Sequence, residues 1–67
     1  MNPTEFKIAQ IRAGVSREDL AKKLNINPTT LYRKFIGESD FTLSELKVLK
    51  KVLKLSNEDV DRIFFSN

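Results

Sequence analysis

Apolar and polar positions fall into short blocks with helical spacing, and each block opens with the same local pattern. Val15-Ser16 is followed by Asp19 and Leu20, and Ile26-Asn27 by Pro28 and Leu31. Phe41-Thr42 is followed by Glu45 and Leu46, and Leu55-Ser56 by Asp59 and Val60. In each case the polar residue can cap a helix by accepting from the free N–H groups of the first turn. The apolar residue before it can pack against the one four positions past the cap as a hydrophobic staple. Asp19, Glu45 and Asp59 fall at the third helical position, where an acid suits the helix dipole. Pro28 falls at the first, where its missing N–H costs nothing.

Ahead of these starts, Phe6, Ala9 and Ala13 form one stripe that Ile8 and Ile11 widen, so the first helix is expected to be well covered, with Thr4 as its cap and Gly14 as its stop. The pattern thus predicts an all-α domain of five helices, about 5–13, 17–24, 28–35, 43–54 and 57–65. No stretch alternates with period two for long enough to make a strand, and there are no repeats or linkers. The fourth helix carries Leu43, Leu46, Leu49 and Leu53, broadened by Val48 and Val52, with Lys47, Lys50, Lys51 and Lys54 mainly opposite. This is the stripe a five-helix core requires.

Only Asn25 and Ile26 separate Leu24 from the cap Asn27. So short a corner needs a residue at positive φ, and asparagine is the best choice after glycine. Ala21, one turn earlier, is small enough for close crossing, and Leu20, Leu24, Ile26 and Leu31 would knot the pair. The spacing is that of a helix-turn-helix formed by helices 2 and 3. On a wheel of residues 28–36, Phe35 lies about 40° from Leu31 and both point inward. Thr29 and Arg33 point outward, flanked by Tyr32 and Ile36.

Composition narrows what such a face could meet. Sixty-seven residues make one domain, residues 1–67, with no histidine or cysteine for a metal, a disulfide or nucleophilic catalysis. There is no glycine-rich phosphate loop, and the carboxylates fall mostly at helix starts, so neither an enzyme nor a cofactor is expected. No apolar run approaches membrane-spanning length, which makes a cytoplasmic protein the expectation, with no membrane partner and no small-molecule ligand. The net charge of +3 is unevenly spread: residues 1–36 hold seven basic and three acidic side chains, residues 37–67 five and six. Positive charge on one half suits a polyanion.

Arg33 offers a fork matching guanine or phosphate, Thr29 a hydrogen bond or a methyl contact, and Tyr32 both ring and hydroxyl, which makes these three the base-reading candidates. The backbone-contact candidates are Ser16 and Arg17 at the start of helix 2, with Asn27, Thr30, Lys34 and Gly37. Lys22 and Lys23 add general field.

With these residues in view, the chain resembles the Cro/repressor type of phage helix-turn-helix domain. The resemblance runs from Gly14-Val15-Ser16-Arg17-Glu18-Asp19-Leu20-Ala21 through Asn25-Ile26-Asn27 and Leu31 to Gly37, Phe41-Thr42-Leu43-Ser44-Glu45-Leu46 and Leu53-Lys54-Leu55-Ser56. It implies sequence reading by helix 3, backbone anchoring by the start of helix 2, and a homodimer on a near-palindromic operator in double-stranded DNA. The length is similar to a small Cro-like regulator rather than a full repressor. Arg17 stands where the family often has glutamine, Asn25 where it usually has glycine, and Pro28 removes one reader. Gln10 and Phe35 occupy positions where many members pair an arginine with a glutamate, as if an apolar contact replaced an ion bridge. Phe64 and Phe65 are the dimer-contact candidates, with one expected to close the core and the other to be exposed. Two other uses of this fold stay open: an accessory factor (excision factor, antitoxin, anti-repressor) and a protein-interaction module contacting through Tyr32 and Phe65. The polar outward face of helix 3 favours DNA, whereas Ile36 does not.

Overall fold

Three of the connections between helices repeat one three-residue device, and the architecture follows from it. The structure is a computed structural model and describes residues 2–65. α1 spans Pro3–Ala13, α2 Arg17–Leu24, α3 Pro28–Phe35, α4 Leu43–Val52 and α5 Asn57–Val60, which runs into a π-helical turn over Asp61–Phe65. There is no strand among the described residues, so the all-α, five-helix expectation holds. No helix among them is long and apolar enough to cross a membrane.

The device is a left-handed residue, an apolar anchor and a cap. Gly14-Val15-Ser16 joins α1 to α2, Asn25-Ile26-Asn27 joins α2 to α3, and Lys54-Leu55-Ser56 joins α4 to α5. At each exit the left-handed residue ends the helix and the next N–H reaches back five residues: Val15 to Gln10 O (3.4 Å), Ile26 to Ala21 O (2.9 Å) and Leu55 to Lys50 O (2.9 Å). These bonds satisfy carbonyls that the helix end leaves open. The cap then starts the next helix: the Asp19 N–H donates to Ser16 Oγ (3.1 Å), the Thr29 N–H to Asn27 Oδ1 (2.8 Å) and the Asp59 N–H to Ser56 Oγ (3.0 Å). Thr42 caps α4 in the same way, and Glu45 and Asp59 return the bond to the N–H of their caps, closing two full capping boxes.

Four expectations are corrected. α1 begins at Pro3 rather than near residue 5, and its cap is Asn2, whose Oδ1 accepts from the Glu5 N–H at 3.2 Å, not Thr4. Asn2-Pro3 supplies a cap and a proline at the first helical position, the combination also seen at Asn27-Pro28. α4 ends at Val52 rather than at 54 because Lys54 takes φ 54 to turn the corner. The fifth helix converts to a π-helical turn after Val60. Finally, Ile11 (66% exposed) and Leu43 (70%) face outward, so α1 is not well covered and the α4 stripe starts at Leu46 rather than Leu43.

Phe6, Leu20, Leu31, Leu49 and Ile63 are fully enclosed, one or more from every long helix plus the last turn. Aromatic rings organise one side of this core. Phe6 meets Phe35 edge-on at 5.2 Å, stacks with Phe41 at 6.0 Å and meets Phe64 edge-on at 5.9 Å. Offset and T-shaped rings at such distances attract beyond their area burial. The last turn is tied to the first helix by the Asn2 N–H donating to Ile63 O at 2.6 Å. Arg62 adds bonds to Glu5 Oε2 (3.3 Å) and Asp59 Oδ1 (2.6 Å). These hold the Asp59 carboxyl below its ordinary range through the Ser56 N–H and the Arg62 guanidinium, and hold Arg62 more firmly protonated through Asp59.

Candidate functional site

Asn25 sits at φ 56, ψ 43, the left-handed corner the sequence calls for between α2 and α3. Leu20, Ala21, Leu24 and Leu31 are all buried in the core cluster, Ile26 packs against it, and α2 and α3 are in contact. Burying Leu31 and Phe35 on one side of α3 fixes what the other side presents. Thr29, Tyr32, Arg33 and Ile36 are all exposed, in the arrangement the wheel requires.

Among the described residues the ionic contact of Arg33 is with Glu38 at 4.0 Å, both side chains being more than 60% exposed. A pair so long and so wet is worth little, and leaves the guanidinium available. Arg17, exposed at the first position of α2, lies over two α3 rings: 4.6 Å from the centroid of Phe35 and 6.0 Å from that of Tyr32. The start of α2 is thereby brought beside buried Phe35 and exposed Tyr32 on α3. Lys22 and Lys23 are exposed farther along α2.

The remaining candidates divide. Ser16 and Asn27 are exposed, with their side-chain oxygens engaged as caps. Thr30 is half-buried. Gly37 is exposed at φ 88, and an added Cβ there would meet no atom of the chain within 4 Å, so what the fold itself requires of it is the left-handed turn. Lys34 is a correction. Its side chain is only 10% exposed, and its ammonium donates to Glu45 Oε1 at 2.7 Å and to Asp40 O at 3.1 Å, 5.7 Å from the centroid of the Phe41 ring. It fastens α3 to the start of α4 and does not join the outward face. Burial acts to raise the Glu45 pKa, but Lys34 and the Thr42 N–H together outweigh it and hold the carboxyl below its ordinary range.

Phe64 and Phe65 also divide. Phe64 packs into the ring cluster, edge-on to Phe6 and to Phe41 at 5.7 Å, whereas Phe65 is 64% exposed. The two line an open groove of about 460 Å³ with Lys34, Gly37, Ser39, Asp40, Phe41 and Leu46. Gln10 is partly buried and its Oε1 has no hydrogen-bond partner among the described residues; the ring contacts of Phe35 are to Phe6 and Arg17.

Sequence reasoning missed the Lys34–Glu45 link and the stacking of Arg17. Both join residues on different elements, and a wheel of one helix carries no signal for them. No group of three or more acidic residues among those described could hold a metal ion.

No protein-family model matches the chain, and no curated protein and no solved structure matches it either.

Proposed function

We propose that the protein is a sequence-specific double-stranded DNA-binding regulator of the small Cro-like kind, with α2 and α3 as its helix-turn-helix. The observation that carries this reading is the shared exposure of Thr29, Tyr32 and Arg33 on α3, with Arg17 lying alongside Tyr32. A helix docked by that face would offer a guanidinium fork to guanine, and a hydroxyl and ring to neighbouring pairs. Arg17, with Lys22 and Lys23 behind it, supplies the positive field that attracts and positions a phosphate backbone. Lys34 is not among these contacts, because Glu45 and Asp40 engage it.

In this reading the protein acts as a homodimer on a two-fold symmetric operator, and occludes promoters in a phage or integrated element. Exposed Phe65 is the dimer anchor, while Phe64 belongs to the core. A symmetric pair would set two copies of α3 about one turn of DNA apart. Ile36, exposed at the end of α3, favours the second reading, a protein-interaction module.

Selection of bound sites from random duplex DNA separates the two. Enrichment of a two-fold symmetric site is the expected outcome. Failure to enrich any sequence would overturn the DNA reading in favour of a protein partner.

A further inference from the structure

Arginine is a poor choice for the first turn of a helix, because the positive end of the dipole repels a cation there. Arg17 nevertheless occupies the first position of α2, and its exposed side chain lays the guanidinium over an aromatic ring. It lies 4.6 Å from the centroid of the Phe35 ring, with Tyr32 at 6.0 Å. Phe35 is buried, and its edge-on contact with the fully enclosed Phe6, at 5.2 Å and 88°, fixes its plane. The cation is therefore supported by a ring that the core itself immobilises.

We propose that Phe35, flanked by Tyr32, is a positioning residue that pre-orients Arg17 toward the DNA groove met by α3. The proposal rests on the DNA-binding reading above. A planar guanidinium stacks on an aromatic face, is attracted by the ring quadrupole, and keeps its edge donors directed outward. A long side chain that is already ordered gives up less freedom when it meets an anion. Phe35 thus has two duties, filling the core and aiming a cation, and the second requires an aromatic ring rather than mere bulk. A lysine at 17 would keep the charge but lose the planar stack.

The test is a mutant cycle on the duplex enriched from random DNA, read by fluorescence anisotropy, with thermal melts confirming that each variant is folded. Arg17→Ala is expected to weaken binding by about tenfold when Phe35 is present, and by no more than about twofold in a Phe35→Leu background. Arg17→Lys in the otherwise native chain is expected to lose nearly as much as Arg17→Ala. An equal fold-loss in both backgrounds, or an Arg17→Lys protein that binds like the native one, would overturn the proposal while leaving DNA binding intact. Should no duplex be enriched, the DNA reading fails and the proposed purpose of the stack fails with it. A readout without DNA guards against Phe35→Leu failing to fold. NMR of the native chain should show the Arg17 side-chain methylene protons shifted upfield by the ring, and unshifted resonances would also overturn the proposal.

Discussion

The α2–α3 and α4–α5 corners are built alike and leave different surfaces behind. Each has a left-handed residue, an apolar anchor and a cap: Asn25-Ile26-Asn27 in one, Lys54-Leu55-Ser56 in the other. After the second corner the polar side chains close on one another, with Arg62 bonded to both Asp59 and Glu5. After the first they do not close: Arg33 reaches Glu38 only at 4.0 Å, and Tyr32 and Thr29 face outward. The same local geometry is followed by closely bonded charges at one site and by exposed, loosely paired ones at the other. The difference lies in how the surrounding charges are satisfied rather than in the turn.

The largest expected effect breaks the first corner outright. Leu31→Ala empties a nearly inaccessible position between α2 and α3 and should cost about 2–5 kcal/mol in urea unfolding. A loss under 1 kcal/mol would mean that the pair is not held by that contact.

Next in size is the contrast between the two arginines. Arg33→Ala should weaken binding to the selected duplex by about 1–3 kcal/mol and relax preference at one base pair. Arg62→Ala should leave that affinity unchanged and lower the melting temperature instead. If Arg62→Ala impaired binding as much as Arg33→Ala, the contrast between the corners would be lost.

The Lys34–Glu45 link tests how α3 is fastened at its far end. Because Glu45 has a depressed pKa in the folded chain, its contribution to stability is fully present above the unfolded value, ordinarily 4.5, and is lost as pH falls through the lower folded value. Asp59 acts in the same direction from an ordinary value of 3.8. Glu45→Gln should cost about 1–2 kcal/mol at neutral pH. It should also flatten the decline in stability below about pH 5 measured by acid titration. A variant with the native acid profile would show that Glu45 does not drive it.

The smallest effect sharpens the comparison. Lys54→Gly removes the Cβ from a left-handed position and should stabilise the chain by about 0.5–1 kcal/mol. Asn25→Gly should change stability by only a few tenths, since asparagine tolerates that conformation better. Equal gains at both sites would show that the two corners carry the same strain.

What could be anticipated was local. Ser16, Asn27, Thr42 and Ser56 are caps because each bonds within three residues of itself, and Asn25 is a corner because Leu24 and Asn27 leave no room for another conformation. The α3 wheel likewise separated Leu31 and Phe35 from Thr29, Tyr32, Arg33 and Ile36. Lys54 was harder, because lysine carries no preference for positive φ, although its place before an apolar residue and a cap repeats the other two corners. The π-helical turn, which carries buried Ile63 and the ring contacts of Phe64, leaves no local trace. Lys34 and Arg17 took partners chosen by tertiary packing: Glu45 eleven positions away, and rings on the next helix.

The α3–α4 connection leaves its helix as the three tight corners do, with Gly37 left-handed and the Glu38 N–H reaching back five residues to Arg33 O at 2.9 Å, but it places extra residues before the anchor Phe41 and the cap Thr42. In 14–16, 25–27 and 54–56 each residue has a fixed duty in backbone shape, core or cap. An inserted residue would pull an anchor out of the core or a cap off its helix. Ser39 is exposed and lies between Glu38, whose N–H closes α3, and Asp40, whose carbonyl accepts from Lys34. Length variation among descendants of this sequence should therefore collect at Ser39, and an epitope or fluorescent tag placed there should leave the helices undisturbed.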